Sequence, residues 1–163
     1  MDIQSDAFEK SEATSNIKDI GLKDLTHSEL CDYFSDIGEK KFRVDQLWKR
    51  MYQDCVQDMY SVTEFSEKLR AELNRKARIS SVEMLQKQVS TDGTRKYLFD
   101  IRDGYAIESV FMKYKYGNTA CISSQAGCRM GCSFCASGIF GLQRNLTPGE
   151  MVDQIVAMQR DTG

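Results

Sequence analysis

The chain has 163 residues, of which 41% are hydrophobic and 28% charged, with a formal net charge of −2. That is an ordinary globular composition with room for one or two domains. No apolar run nears the ~20 residues of a membrane span, and the near-neutral charge excludes a globally basic nucleic-acid binder, leaving only local patches for such a partner.

Residues 1–16 carry four acids against one lysine and almost no apolar side chains, which predicts a disordered tail. Residues 17–79 read as a helical domain. Thr26 and Glu29 form a capping-box signature ahead of the stripe Leu30, Tyr33, Phe34 and Ile37, which Gly38 closes. A second helical stripe runs Leu47, Trp48, Met51, Tyr52, Cys55, Val56 and Met59, and a third helix is expected from Thr63 to Lys76, with Phe65, Leu69 and Leu73 inward. Cys31 and Cys55 fall on or beside these stripes and are read as core. Lys40, Lys41, Arg43, Lys49 and Arg50 make a local basic patch, although a solvated helix edge is the commoner reason for any one such charge run.

The period then changes. Residues 82–89, 95–102 and 105–114 read as strands, and Asp92-Gly93 and Asp103-Gly104 between them are strong hairpin signals. This predicts a three-stranded antiparallel meander over residues 80–113. Residues 118–123 form a short strand leading into a cysteine-rich loop, after which Thr147-Pro-Gly-Glu150 starts a helix burying Met151, Val152, Ile155 and Val156. Strand, loop and helix over 114–163 predict the first βα unit of a parallel barrel or sheet. The overall expectation is an α+β, multidomain chain. A second strand would begin after Gly163, so the chain is read as the N-terminal part of something longer.

The loop holds Cys128, Cys132 and Cys135 in the spacing C-x3-C-x2-C, with Phe134 before the last cysteine. Three thiolates suit a four-iron, four-sulfur cluster with one iron left open, whereas electron-transfer clusters use four cysteines. Zinc would need Cys121 as a fourth ligand, because the one histidine, His27, is far away in sequence. A disulfide framework belongs to secreted chains. This chain starts Met-Asp-Ile-Gln-Ser-Asp, without the basic and apolar regions of a secretory leader, so its six cysteines point to a reducing, cytoplasmic setting.

The cysteine loop, placed after a strand and before a helix, resembles that of the radical S-adenosylmethionine superfamily. The longer block from Cys121-Ile-Ser-Ser-Gln-Ala-Gly-Cys128 to Gly141-Leu-Gln-Arg-Asn-Leu146 is similar to the dual-specificity RNA methyltransferases, which methylate adenine C2 in 23S rRNA and tRNA. Upstream, Gly38 to Tyr52 resembles their helical accessory domain. The resemblance implies a radical SAM partial (β/α) barrel after the meander, with Cys128, Cys132 and Cys135 holding a 4Fe-4S cluster and S-adenosylmethionine on its open iron. It further implies that Glu108 is the proton acceptor at the target adenine. Cys121 would be a thiol pairing transiently with a C-terminal, methyl-carrying cysteine, for which neither Cys31 nor Cys55 matches. Read without the resemblance, Glu108 is a solvent-facing strand acid, and its neighbours leave its facing undecided.

An electron donor such as flavodoxin or ferredoxin is implied, together with a monomeric, cytoplasmic enzyme that has no membrane contact. The basic patch would hold RNA phosphates, with Arg144 and Lys113 to Lys115 adding to it. The chain by itself is expected to be inactive. The alternatives are methylation at adenine C8 of 23S rRNA, which gives antibiotic resistance and shares every motif here, or a non-catalytic metal-binding RNA module. A closed electron-transfer protein is disfavoured for want of a fourth ligand.

Overall fold

The computed structural model describes residues 20–163, and the tail expected at 1–16 lies outside the described residues. The short strand β1 (Ile20–Gly21) pairs in parallel with β2 (Ala77–Arg78), bracketing a helical unit. Helix α1 (His27–Asp36) begins at the expected capping box: the Thr26 hydroxyl accepts from the Glu29 N–H, and the Glu29 carboxylate accepts from the Thr26 N–H. Gly38, at φ +78°, ends it, with the Glu39 N–H donating to the Phe34 carbonyl at 2.8 Å.

Helix α2 (Phe42–Tyr52) stops short of the expected stripe. Cys55, at φ +53°, breaks the helical path, and Val56 and Met59 follow in a loop and a 3-10 turn. Met59 is still buried, because the turn returns it to the same core. Helix α3 (Glu67–Lys76) begins later than Thr63, since Ser66 supplies the cap by accepting from the Leu69 N–H. Leu30, Phe34, Leu47, Met51, Phe65 and Leu73 fill the core between the three helices. Cys55 is buried and Cys31 packs against that core, as expected.

The meander has four strands, not three. β3 (Glu83–Val89), β4 (Arg95–Asp100), β5 (Ala106–Tyr114) and β6 (Gly117–Cys121) lie side by side in that order, all antiparallel. The strand that feeds the cysteine loop is therefore the sheet's edge: Lys115 and Tyr116 reverse the chain, and Val110 through Tyr114 pair with Cys121 back to Gly117. The first turn is as expected, with Gly93 at φ +84° and the Ser90 N–H donating to Thr94. Beyond β6, β7 (Gln125–Gly127) and β8 (Leu142–Asn145) form a second antiparallel hairpin that encloses the cysteines. The architecture is thus mixed helix and antiparallel sheet.

Helix α4 (Pro148–Thr162) starts at the second capping box, Thr147 with Glu150, and Pro148 is its first residue. It covers one sheet face, where Tyr97, Phe99, Ile107 and Phe111 pack with Ala157 and Met158. Its buried side is not the one expected. Val156 is buried, but Met151 and Val152 are half-buried and Ile155 is 47% exposed, while Glu150, Asp153 and Gln154 turn inward. Each of these polar groups has a partner inside, which makes its burial tolerable. Asp153 accepts from buried Lys23 and from the Ser81 N–H, which ties the helical unit to α4. Asp24 adds to this by accepting from the Gly149 N–H at 2.8 Å.

At the other end of α4, Asp161 accepts from Lys87 (2.6 Å), Arg95 (2.6 Å) and Tyr97 (2.8 Å). Burial works against the carboxylate, but these bonds outweigh it and hold its pKa at about 2, below the ordinary 3.8. Burial and Asp161 together push Tyr97 up to about 12. A folded value below the unfolded one stabilises fully above the unfolded pKa, and the contribution fades as pH falls through the folded value. Asp161→Asn is therefore expected to flatten the acid limb of a stability–pH curve between about pH 4 and 2. Urea titrations across that range would show it.

Candidate functional site

The register of the sheet fixes where Glu108 points. Along β5, Ile107, Ser109 and Phe111 are buried, and Glu108 is exposed between them. Residues directly opposite across an antiparallel pair share a face. Glu108 opposes Leu98, and Val110, two residues on, opposes both Lys96 and Cys121. Glu108 and Cys121 thus lie on the open face, on adjacent strands, with α4 on the other side. An ion pair with Lys96 at 2.9 Å holds Glu108, but both groups are too exposed for it to add much stability.

The chain leaves Cys121 under tight control. The buried Gln154 amide is fully used: its oxygen accepts from the Ser109 hydroxyl (2.6 Å) and the Ser123 N–H (2.9 Å), and its nitrogen donates to the Ser123 (2.9 Å) and Glu150 (3.1 Å) carbonyls. The Ser123 hydroxyl in turn donates to the Glu108 carbonyl at 2.7 Å. One side chain of α4 therefore fixes both the strand of Glu108 and the segment entering the cysteine loop. Gln154→Ala would take this partner from the buried Ser109 hydroxyl and from the half-buried Ser123 N–H and carbonyl, and is expected to lower stability by ~2–3 kcal/mol in a urea titration.

The loop between β7 and β8 is shaped by glycines. Gly127 sits at φ +78°, and a Cβ there would meet the Gly141 carbonyl oxygen at 2.0 Å, so this position admits only glycine. Gly131, at φ +60°, turns the chain between Cys128 and Cys132. The Cys128 N–H donates to Gly141 across the mouth of the loop, and the Cys135 N–H donates to Cys132. All six cysteines are free; Cys132 is exposed, and Cys128 and Cys135 are half-exposed. Met130, Phe134, Ile139 and Phe140 are between 72% and 91% exposed, an apolar rim of the kind that marks a binding surface.

A cleft of about 550 Å³ runs between the open sheet face and this loop, with Glu108, Ser123, Gln125, Gly127 and Cys128 among its lining residues. The structure therefore brings Glu108 and Cys128 to one cavity and Cys121 to the adjoining strand. Among the described residues, no three histidine, cysteine or acidic side chains already converge as a metal-holding group. The donor chemistry nevertheless fits an iron–sulfur cluster: three accessible thiols on one glycine-turned loop, which binding would draw together.

Three arginines named from sequence are committed elsewhere. Arg144 grips both Glu150 carboxylate oxygens at 2.7 Å and also pairs with Asp103, tying β8 to the start of α4. Its hydrogen bonds to Glu150 and Asp103 prevail over burial and hold the guanidinium firmly charged. Arg50 bonds Asp54 and the Ser61 carbonyl, and Arg43 bonds the Glu64 carbonyl. Lys40, Lys41 and Lys49 remain exposed.

Residues 20–79 match the family model for the ribosomal RNA large subunit methyltransferase N-terminal domain. The chain is 47% identical over 150 residues to a probable dual-specificity RNA methyltransferase RlmN of Desulforamulus reducens, covering 91% of this chain and 43% of that protein. The corresponding protein of Caldanaerobacter subterraneus is 48% identical over 143 residues, covering 87% and 42%. The chain belongs to the RlmN family. A crystal structure of a radical SAM methyltransferase from Sphaerobacter thermophilus matches with a TM-score of 0.83 and 39% identity, over 87% of this chain and 42% of that one. The chain thus spans about two-fifths of the length of the RlmN relatives it matches.

Sequence reasoning missed the contacts that set the candidate site in place: those of Gln154 with Ser109 and Ser123, and that of Arg144 with Glu150. A signal was present. Glu150, Asp153 and Gln154 follow the i, i+3, i+4 spacing of one helix face, which Ala157 continues at i+7.

Proposed function

We propose that this chain is the cluster-bearing N-terminal portion of a radical S-adenosylmethionine enzyme that methylates adenine C2 in 23S rRNA and tRNA. The observation that carries it is the cleft with Glu108 on one wall and Cys128 on the other, next to Cys121 on the same sheet face. Cys128, Cys132 and Cys135 would hold a 4Fe-4S cluster. Once bound, that group and S-adenosylmethionine supply the radical chemistry, and the protein supplies placement.

The chain's own residues have three tasks. Glu108, exposed in the cleft, accepts a proton from the exocyclic amine or the ring of an adenine lying against it. Cys121, exposed on the edge strand, offers a thiol for exchange with a second cysteine elsewhere in the protein, which requires Cα atoms within ~7 Å. Gln154 keeps both in register. The target base must leave its stack to reach such a cleft. An electron donor such as flavodoxin or ferredoxin completes the system.

β6 is the sheet's edge and α4 packs on the same sheet, which suits a first strand, loop and helix awaiting a parallel neighbour.

The test is mass spectrometry of 23S rRNA and tRNA incubated with the full-length protein, S-adenosylmethionine and a reductant. The proposal expects 2-methyladenine in both RNAs, and its loss in Glu108→Gln. 8-Methyladenine, or no methylation together with stoichiometric zinc, would refute it.

A further inference from the structure

The tip of the β5–β6 hairpin reads Lys113-Tyr114-Lys115-Tyr116; its lysines are candidates for phosphate contact, and its two exposed rings have no role in the proposed reaction. The rings of Tyr114 and Tyr116 are stacked, with centroids 5.0 Å apart and planes within 7° of parallel. Tyr116 is 83% exposed and Tyr114 44% exposed. Neither belongs to a hydrophobic core, so packing does not explain the stack. What it provides is a flat aromatic platform whose outer face is open to solvent.

The charges beside it have one sign. Lys113 and Lys115 are both exposed, and among the described residues neither forms an ion pair. The segment from Lys113 to Asn118 contains no acid. Alternating cation and aromatic ring is the pattern that meets a single-stranded nucleic acid, whose phosphates and bases alternate in the same way. Position supports this match. β5 alternates its faces, so Tyr114 stands on the side of Glu108, Val110 and Met112, opposite the face covered by α4. Tyr114 lies six residues along β5 from Glu108, or roughly 20 Å.

We propose that this hairpin tip is a stacking site for an unpaired base of the RNA substrate, on the outer face of Tyr116, with Lys113 and Lys115 on the flanking phosphates. A single strand laid along the open face would then be anchored there while another of its nucleotides enters the cleft at Glu108. This rests on the RNA reading of the cleft and names the residues that hold the strand away from it.

The experiment is fluorescence anisotropy of the chain with a labelled single-stranded oligoribonucleotide and with an abasic strand of the same length. Tyr116→Ala is expected to weaken RNA binding about tenfold and to leave abasic binding unchanged. Tyr116→Trp should retain the affinity, and its emission, measured above that of Trp48, should be quenched by RNA. Lys113→Ala and Lys115→Ala should each lower the salt slope of binding by about 0.7. Equal affinity of Tyr116→Ala and wild type for the RNA, or an equal loss on the abasic strand, would overturn the stacking site and leave the RNA reading standing. No RNA binding by the wild-type chain would overturn both.

Discussion

Alanine at Cys128, Cys132 or Cys135 is expected to reduce the iron and sulfide retained after anaerobic reconstitution to background. Alanine at Cys31, Cys55 or Cys121 should leave about four irons per chain. The contrast follows from position. Cys55 is buried, and Cys31 packs on the helical core beside His27, its Sγ 3.8 Å from Nδ1. Cys121 is exposed but sits on β6, before the hairpin that encloses the other three. Only the loop places three thiols within eight residues, and with three ligands the loss of one leaves too few to hold a cluster. The Cys121→Ala result also separates the competing metals. A tetrahedral zinc site drawing on Cys121 would lose its metal with that substitution, whereas a three-cysteine cluster would not.

The second large effect is on stability. Asp153→Ala is expected to cost about 3–5 kcal/mol, because it strands the Lys23 ammonium and the Ser81 N–H in the interior. The side chains of Lys23 and Asp153 are only 1% and 3% exposed, so water cannot replace the lost partner. Lys23→Met should also be costly, because it takes the counter-ion from the buried Asp153 and leaves it the Ser81 N–H alone of these two partners. The double variant Lys23→Met/Asp153→Leu should recover much of the loss, since a well-packed apolar pair often equals a buried ion pair. Urea titrations of wild type, Lys23→Met, Asp153→Leu and the double variant form a double-mutant cycle, and additive losses would mean the pair is not coupled. The pair matters to the site because it anchors the helical unit to α4, the helix whose Gln154 fixes the strand of Glu108.

Local chemistry was readable wherever it determined structure locally. The Thr26–Glu29 and Thr147–Glu150 boxes, the Gly38 stop and the Asp92-Gly93 turn all sit where their residues place them. The cysteine spacing and the blocks around it pointed to the family that the comparisons show. What sequence could not reveal was pairing at a distance. Ile155 reads as core on α4, yet Asp153 and Gln154 take the inner face because Lys23, Ser109 and Ser123 await them there. The stripe after Tyr52 kept helical spacing through Met59, and a single left-handed residue, Cys55, ended the helix without a glycine to announce it. The facing of Glu108 was undecided because apolar and polar residues of β5 do not alternate cleanly in sequence. The register with β4 and β6 decides it, and puts Cys121 on the same face.

The proposed function requires that Cys128, Cys132 and Cys135 hold a cluster beside the cleft lined by Glu108, one that S-adenosylmethionine can reach. Electron paramagnetic resonance of the reduced, reconstituted protein, with and without S-adenosylmethionine, tests it most directly. A [4Fe-4S]⁺ signal whose g-values shift when S-adenosylmethionine is added is the expected result. A signal indifferent to S-adenosylmethionine, or a protein that takes up zinc and no iron, would contradict it.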